Sequence, residues 1–194
     1  TLALDLGVFL RFDPALGGPL RPGSHLLLGN IDPDLQLKVL AQAGKDAFVA
    51  ADTIDHWITN KRAALLRGLE RTDLFFLNDQ EAELLTGESN LIVAGPAIRR
   101  MGPKQVVIKK AEHGALLFGE SGVYLVPAMP LAEVKDPTGA GDAFAGTVLG
   151  CLARDGARDD RAVRAAMARA AVMSSFVVEA FGVAGLRGLT EDAI

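Results

Sequence analysis

The sequence contains very little cysteine and histidine, the residues that form disulfide bonds and many metal sites. Cys151 is its only cysteine, which excludes a disulfide framework and a cysteine-rich metal site. The three histidines, His25, His56 and His113, do not have the spacing of a metal-binding motif. The chemistry of this chain must therefore come from its other polar residues and its backbone.

Long apolar runs and large excesses of charge are also missing. No uncharged apolar stretch approaches the roughly 20 residues that span a bilayer, and no segment resembles a signal peptide. The cytoplasm is thus the expected location. The net charge is −4 and no basic block is present, so neither nucleic acid nor a membrane is an expected partner.

The residues that are present indicate a folded globular chain. Hydrophobic residues make up 49% of the 194 residues and charged residues 23%, which argues against disorder. A chain of this length can bury one sizeable core. We therefore predict a single α/β domain over residues 1–194.

Short apolar segments alternate with segments of helical periodicity. The predicted strands are residues 26–28, 47–51, 74–77 and 105–109, a hairpin of 115–118 with 123–126, and a further strand at 2–10. The predicted helices are residues 33–43, 56–71, 79–86, 91–101, 141–153 and 160–180. This alternation predicts a mostly parallel sheet with helices on both faces.

A glycine-rich turn precedes the first of the two long C-terminal helices. Pro137, Gly139 and Gly141 cannot lie inside a helix or strand, and the small apolar run 143–149 follows them. A glycine turn that leads into a helix leaves several N–H groups unpaired, at the positive end of the helix dipole. These features predict an anion site.

Asp142 stands at the start of that helix, where its carboxylate would repel a resting phosphate. Its position suits a general base that accepts the proton of an attacking alcohol. Aspartate is also a frequent N-cap residue, so a capping role is the alternative.

The segment 136–142, Asp136-Pro137-Thr138-Gly139-Ala140-Gly141-Asp142, closely resembles the Asp-x-Thr-Gly-Ala-Gly-Asp signature of the ribokinase-like (PfkB) carbohydrate kinases. The resemblance implies that the backbone of residues 139–141, including Ala140, stabilises the transferring phosphoryl group and that Asp142 is the catalytic base. It also implies a loop that can hold a monovalent cation such as K⁺. Asp136 is the candidate ligand in that loop, and Thr138 is a candidate cofactor-binding residue.

The resemblance extends over most of this chain but only over the later part of the family's sequence. Full-length members carry an N-terminal block that supplies the first strands, the lid and much of the sugar site. Nothing in this sequence matches that block, so we expect the N-terminal part of the fold to be absent.

Polar residues follow several predicted strands, where ligands bind in open α/β sheets. Asn78 and Glu81 have the form of a capping box, and Asp32 precedes Pro33 as an N-cap would. The family resemblance adds a second interpretation. It implies that the Asn78-x-x-Glu81 motif organises Mg²⁺ and phosphate, with Glu81 as the metal-site residue, and that Asp32 and Asp52 face the acceptor or the phosphate pocket.

The segment after the fourth strand resembles the nucleotide loop of the family. Lys109 is placed to meet a nucleotide phosphate, and Gly114 retains one of the two glycines of the family's Gly-x-x-Gly pattern, while Ala111 replaces the other. The resemblance implies an adenine pocket between the loop 127–130 and the final helix near residues 170–174.

The sequence favours an ATP- and Mg²⁺-dependent kinase that phosphorylates a sugar, a nucleoside or a related small molecule. A homodimer is one expected assembly. The alternatives are a non-catalytic nucleotide-binding remnant and, less favoured, a dinucleotide-dependent oxidoreductase, because Phe144 stands where the dinucleotide fingerprint needs a third glycine or alanine. No Gly-x-x-x-x-Gly-Lys-Ser/Thr sequence occurs, which excludes a P-loop kinase.

Overall fold

The structure is a computed structural model that describes residues 7–18 and 20–190. Its strands are β1 (His25–Leu28), β2 (Phe48–Asp52), β3 (Leu74–Asn78), β4 (Gln105–Lys109), β5 (Ala115–Gly119) and β6 (Gly122–Val126). Its α-helices are α1 (Pro33–Ala43), α2 (Asp55–Asn60), α3 (Arg62–Leu69), α4 (Asp79–Thr86), α5 (Leu91–Arg99), α6 (Ala140–Asp155) and α7 (Asp160–Val178).

The strands form a six-stranded sheet whose order follows the chain, from β1 to β6. This alternation of strands and helices confirms the predicted α/β fold class. The chain divides into two compact units, Thr1–Lys104 and Gln105–Ile194, which are called the first and second unit below.

The first unit contains the parallel strands β1, β2 and β3. Leu27 pairs with Ala50, and Ala51 pairs with Phe75. Every residue of β2 is buried, and residues 74–77 of β3 are fully buried. Parallel strands that are covered on both faces need apolar residues at successive positions rather than at alternate ones. The continuous apolar runs in the sequence have this cause.

Two elements of the first unit differ from the prediction. Gly7–Arg11 form a short 3₁₀ helix rather than part of a strand, and residues 2–6 of that predicted strand lie outside the described residues. The helix predicted over 56–71 is divided at Lys61, whose φ is −130°. Just before the break, the Asn60 side chain donates a hydrogen bond to the His56 carbonyl at 2.9 Å. Such side chains compete with the helical backbone for its hydrogen bonds.

The second unit contains the antiparallel strands β4, β5 and β6. Val106 pairs with Phe118, which in turn pairs with Val123, so the predicted hairpin is confirmed. Helices α6 and α7 pack against each other, and α7 also contacts β5 and β6. No helix within residues 7–18 and 20–190 has the length and apolar character needed to cross a membrane.

A buried carboxylate joins three segments of the second unit. Asp160, at the first position of α7, is only 6% exposed. Its two oxygens accept hydrogen bonds from the Gln105 side chain at 2.8 Å and from the Ser121 backbone N–H at 2.6 Å. A side chain at Gly119 would overlap this carboxylate and displace it from its hydrogen bonds.

We expect Asp160→Ala to lower the free energy of unfolding by about 1–3 kcal/mol. The change removes the acceptor of the Ser121 N–H and leaves the buried Gln105 side chain with only its longer contact to the Arg158 carbonyl, at 3.3 Å. The control is Asp159→Asn at the neighbouring N-cap, where Asp159 accepts from the Ala162 N–H at 2.8 Å. Asparagine caps as well as aspartate, so this control should change stability by less than about 0.5 kcal/mol. Urea unfolding monitored by circular dichroism measures both variants. Equal stability of the two would show that the Asp160 hydrogen bonds contribute little.

Candidate active site

The glycine turn ends in an open helix N-terminus. Gly139 is the N-cap residue of α6 and has a φ of +85°, a left-handed conformation that glycine adopts without strain. Gly139 has no side chain with which to cap this helix. Within the described part of the chain, no group accepts a hydrogen bond from the N–H of Gly141 or Asp142. Two donors therefore point out of the helix end, as an anion site requires.

A lysine lies beside this helix end. Lys109, the last residue of β4, places its ammonium 3.2 Å from the position that a Cβ on Gly141 would take. Any side chain at position 141 would press against this cation. The glycine therefore allows a positive charge to lie close to the open N–H groups, and the two features together favour phosphate over a neutral ligand.

Asp142 is exposed in the first turn of α6, three residues after the N-cap. The N-cap of this helix is Gly139, so the alternative in which Asp142 is the N-cap is wrong. Its side chain has no hydrogen bond or ion pair with any residue that the structure describes. An exposed carboxylate one turn from the open N–H groups is available to accept a proton from a bound alcohol.

The turn before the glycines is held by internal hydrogen bonds. The Thr138 N–H donates to Asp136 Oδ1 at 2.9 Å. Hydrogen bonding by the Thr138 side chain, and then by its backbone, holds the pKa of the Asp136 carboxyl below its ordinary value. The N–H groups of Lys135 and Asp136 both donate to the Val178 carbonyl, at 2.8 and 3.2 Å. The loop is thereby fixed to the end of α7, with Asp136 ionised at neutral pH.

A cleft extends from the open helix end across the second unit. Lys109 and Gly141 belong to its lining, together with Pro127, Ala128, Ala171 and Ser174. These last four residues come from the loop and the helix for which the family resemblance implies an adenine pocket. The Ser174 hydroxyl donates to the Ala140 carbonyl at 3.1 Å and so connects α7 to the first turn of α6.

The loop after β4 forms another wall of the cleft. Gly114 has a φ of +83°, and a Cβ there would overlap the Val126 carbonyl oxygen. Its first role is thus to let two segments of backbone approach closely. Ala111 has a φ of +47°, a left-handed value that is strained for alanine. This strain explains why the family pattern has glycine at that position.

The predicted site residues of the first unit form local hydrogen bonds that stabilise the fold. Asn78 and Glu81 form a capping box, since Glu81 N–H donates to Asn78 Oδ1 at 2.8 Å and Asn78 N–H donates to Glu81 Oε2 at 2.7 Å. Glu81 is 7% exposed. No group of three or more His, Cys, Asp or Glu side chains within the described ranges could hold a metal by itself.

Asp32 and Asp52 also belong to the first unit. Asp32 caps α1 by accepting from the Asp34 N–H at 2.9 Å and lies 3.4 Å from the Lys61 ammonium. Asp52 is buried at the end of β2, and its Oδ1 accepts from the Thr53 N–H at 2.8 Å. These contacts give Asp32 the capping role that the sequence left open.

Gln36 was not among the predicted site residues. This buried side chain of α1 donates to the Gly29 carbonyl at 2.8 Å and to the Asp52 carbonyl at 3.3 Å. It therefore joins the ends of β1 and β2. A glutamine on the apolar face of a predicted helix was the one sequence signal for this role.

The sequence pattern of the family described as pfkB family carbohydrate kinase matches residues 28–185. The chain is 36% identical over 128 residues to a cytidine kinase of Thermococcus kodakarensis, a match that covers 64% of this chain and 46% of that protein. The chain thus spans less than half of the length of that relative.

Solved structures share the fold. A ribokinase from Thermotoga maritima has a TM-score of 0.70 with 20% sequence identity, covering 88% of this chain and 55% of that one. An aminoimidazole riboside kinase from Salmonella enterica, solved with aminoimidazole riboside and an ATP analog, has a TM-score of 0.67 with 22% identity. That match covers 84% of this chain and 60% of the other. With the family pattern matched over most of its length, the chain belongs to the pfkB family of carbohydrate kinases.

Proposed function

We propose that the protein is an ATP-dependent kinase that transfers a phosphoryl group to a hydroxyl of a sugar or nucleoside. The observation that carries this proposal is the end of α6. There the open N–H groups of Gly141 and Asp142 lie beside the Lys109 ammonium, and the exposed Asp142 carboxylate stands on the same turn. The cytidine kinase and the aminoimidazole riboside kinase among the similar proteins support a nucleoside as one acceptor class.

Each part of this helix end has a role in the proposed reaction. The Asp142 carboxylate accepts the proton of the acceptor hydroxyl as its oxygen attacks the γ-phosphorus. The backbone N–H groups of Gly141 and Asp142 stabilise the charge on the transferring phosphoryl oxygens. The Ala140 N–H donates to the Pro137 carbonyl at 3.2 Å and shapes the turn instead. Lys109 adds a positive charge against the same phosphoryl oxygens. These groups are fixed before the nucleotide binds, so little reorganisation is needed during the reaction.

The proposal includes Mg²⁺, which would neutralise phosphate charge when bound with the nucleotide. Mg²⁺ usually keeps several waters and takes one or two carboxylates together with substrate phosphates. Glu81 would contribute through its carboxylate, with Asn78 on the same motif. The ionised Asp136, with Thr138 beside it, is the proposed position of a monovalent cation such as K⁺.

The remaining parts of the proposal concern the whole protein. Asp32 and Asp52 are proposed to face the acceptor, in addition to the local contacts described above. We further propose a cytoplasmic protein that binds a small-molecule acceptor and neither nucleic acid nor membrane, and that forms a homodimer. The single domain over residues 1–194 stays a prediction.

Calorimetry followed by an activity assay tests the proposal. MgATP should bind to the chain more tightly than ribose, fructose, cytidine or adenosine does. The cleft of the second unit contains the anion site, which favours the triphosphate over these neutral ligands. ADP release is then measured with each acceptor present. Binding of MgATP without ADP release over any acceptor would favour a non-catalytic nucleotide-binding protein. Tight binding of a sugar without binding of MgATP would contradict the proposal.

Glu81→Gln should raise the Mg²⁺ concentration that half-maximal ADP release requires and should leave the fold intact. Glutamine can still accept from the Asn78 N–H, as a capping box needs, but it lacks the charge that attracts the cation. The matched control is Glu83→Gln on the exposed side of the same helix, which should leave the Mg²⁺ requirement unchanged. A fall in melting temperature with an unaltered Mg²⁺ requirement would show that Glu81 only caps the helix and takes no part in binding Mg²⁺.

A further inference from the structure

The cleft of the second unit has very few side chains that can form hydrogen bonds. Among the described residues that line it, only Lys109 and Ser174 have a polar side chain. All the others are alanine, glycine, valine, proline or phenylalanine. A ligand in this cleft meets mostly carbon atoms and backbone.

Contacts within the protein already hold both polar side chains, Lys109 and Ser174, in place. The Lys109 ammonium lies against Gly141, at the phosphate end of the cleft. The Ser174 hydroxyl uses its proton in the hydrogen bond to the Ala140 carbonyl. Within the described lining, no side chain therefore remains to donate a hydrogen bond to a nucleotide base.

Adenine and guanine differ mainly in the groups that form hydrogen bonds. Adenine has an amino group where guanine has a carbonyl, and guanine carries a second amino group. A site built to hydrogen-bond one ligand rejects an analogue by about 10⁴–10⁵-fold, whereas an apolar pocket separates similar ligands by only about 10–200-fold. The two purines have similar size and ring faces, so apolar walls give them similar contacts.

We infer that the phosphate donor of this protein is a purine nucleoside triphosphate in general rather than ATP alone. This inference rests on the proposed kinase function and extends it to the choice of donor. The N–H groups of Gly141 and Asp142, with Lys109, select the triphosphate. The purine is held by the apolar area that it buries, including contact with Phe144, which is 8% exposed. A pyrimidine has one ring, buries less area and binds more weakly.

Calorimetric titration of the protein with MgATP, MgGTP and MgCTP tests this inference. The dissociation constants for MgATP and MgGTP should differ by less than about 200-fold, the most that an apolar pocket separates similar ligands, and MgCTP should bind more weakly than both. A preference for MgATP over MgGTP of more than about 200-fold would overturn the inference and leave the kinase proposal standing. If none of the three nucleotides binds, both are overturned.

A serine variant tests whether the remaining polar side chain reads the base. Ser174→Ala should leave the ratio of the MgATP and MgGTP dissociation constants unchanged, because that hydroxyl is bonded to the Ala140 carbonyl. The control is Ser175→Ala. The Ser175 hydroxyl donates to the Val172 carbonyl at 2.6 Å, and Ser175 is not among the residues that line the cleft. A change in the ratio of about tenfold or more in Ser174→Ala alone would show that Ser174 recognises the base and would overturn the inference.

Discussion

Asp142→Asn is expected to lower kcat by roughly 10²–10⁴-fold, the usual contribution of a positioned general base. Asparagine has nearly the same size as aspartate but cannot accept the proton of the attacking hydroxyl. The affinity for MgATP should stay the same or increase, because a negative charge near the triphosphate is removed. Steady-state kinetics with the acceptor found in the ADP-release assay, together with calorimetry, measure the two quantities separately.

The structure makes this variant a clean test of catalysis. Gly139 is the N-cap of α6, so the substitution removes no capping hydrogen bond, and the melting temperature should be nearly unchanged. The control is Asp155→Asn at the far end of the same helix, where Asp155 pairs with Arg154 at 2.7 Å. This exposed pair is worth little, so kcat should stay at the wild-type value. If Asp142→Asn also turns over at that value, Asp142 is not the base.

The glycine pattern was enough to predict the open N-terminus of α6. Pro137 and Gly139 interrupt regular structure before the helix, and the small apolar residues that follow favour a helix. Gly141, which we expected to lie in the turn, is the second residue of α6. The structure places the N-cap at Gly139 with no side-chain cap. The outcome could be predicted because it depends on local conformation, which a few residues determine.

Contacts between distant residues could not be predicted in this way. Nothing in the sequence indicates that the Lys109 ammonium lies 3.2 Å from a Cβ position on Gly141, since 31 positions separate them. A second example is Gln36, whose side chain donates hydrogen bonds to the ends of both β1 and β2. Both depend on how strands and helices pack, and packing is set by many weak contacts together.

The exact ends of helices could not be predicted from the sequence either. The helix over 56–71 has continuous apolar periodicity, yet it is divided at Lys61 because a single asparagine side chain competes for the backbone. The capping role of Asp32 was one of two interpretations, and the 2.9 Å contact with the Asp34 N–H supports it. Periodicity alone carries no information on such local competition.

Gly114→Ala should destabilise the second unit and weaken nucleotide binding at the same time. A left-handed φ of +83° costs an alanine about 1–2 kcal/mol. The new Cβ would overlap the Val126 carbonyl and lie 2.8 Å from the Ala128 nitrogen, and overpacking of this kind costs about 1–3 kcal/mol. The expected total is a loss of roughly 2–5 kcal/mol, or about 4–20 °C in melting temperature for a chain of this size.

The same overlap explains the expected loss of affinity. Val126 and Ala128 line the cleft, and they must move away from the added methyl group, so the cavity changes shape where the purine is proposed to bind. The control is Ala111→Gly in the same loop, where φ is +47°. Glycine relieves the strain there but makes the unfolded chain more flexible, and these effects nearly cancel. Thermal unfolding and MgATP calorimetry on both variants check the expectation. If Gly114→Ala is as stable as Ala111→Gly and binds MgATP as tightly as the wild type, the close approach at Gly114 has no role in forming the cleft.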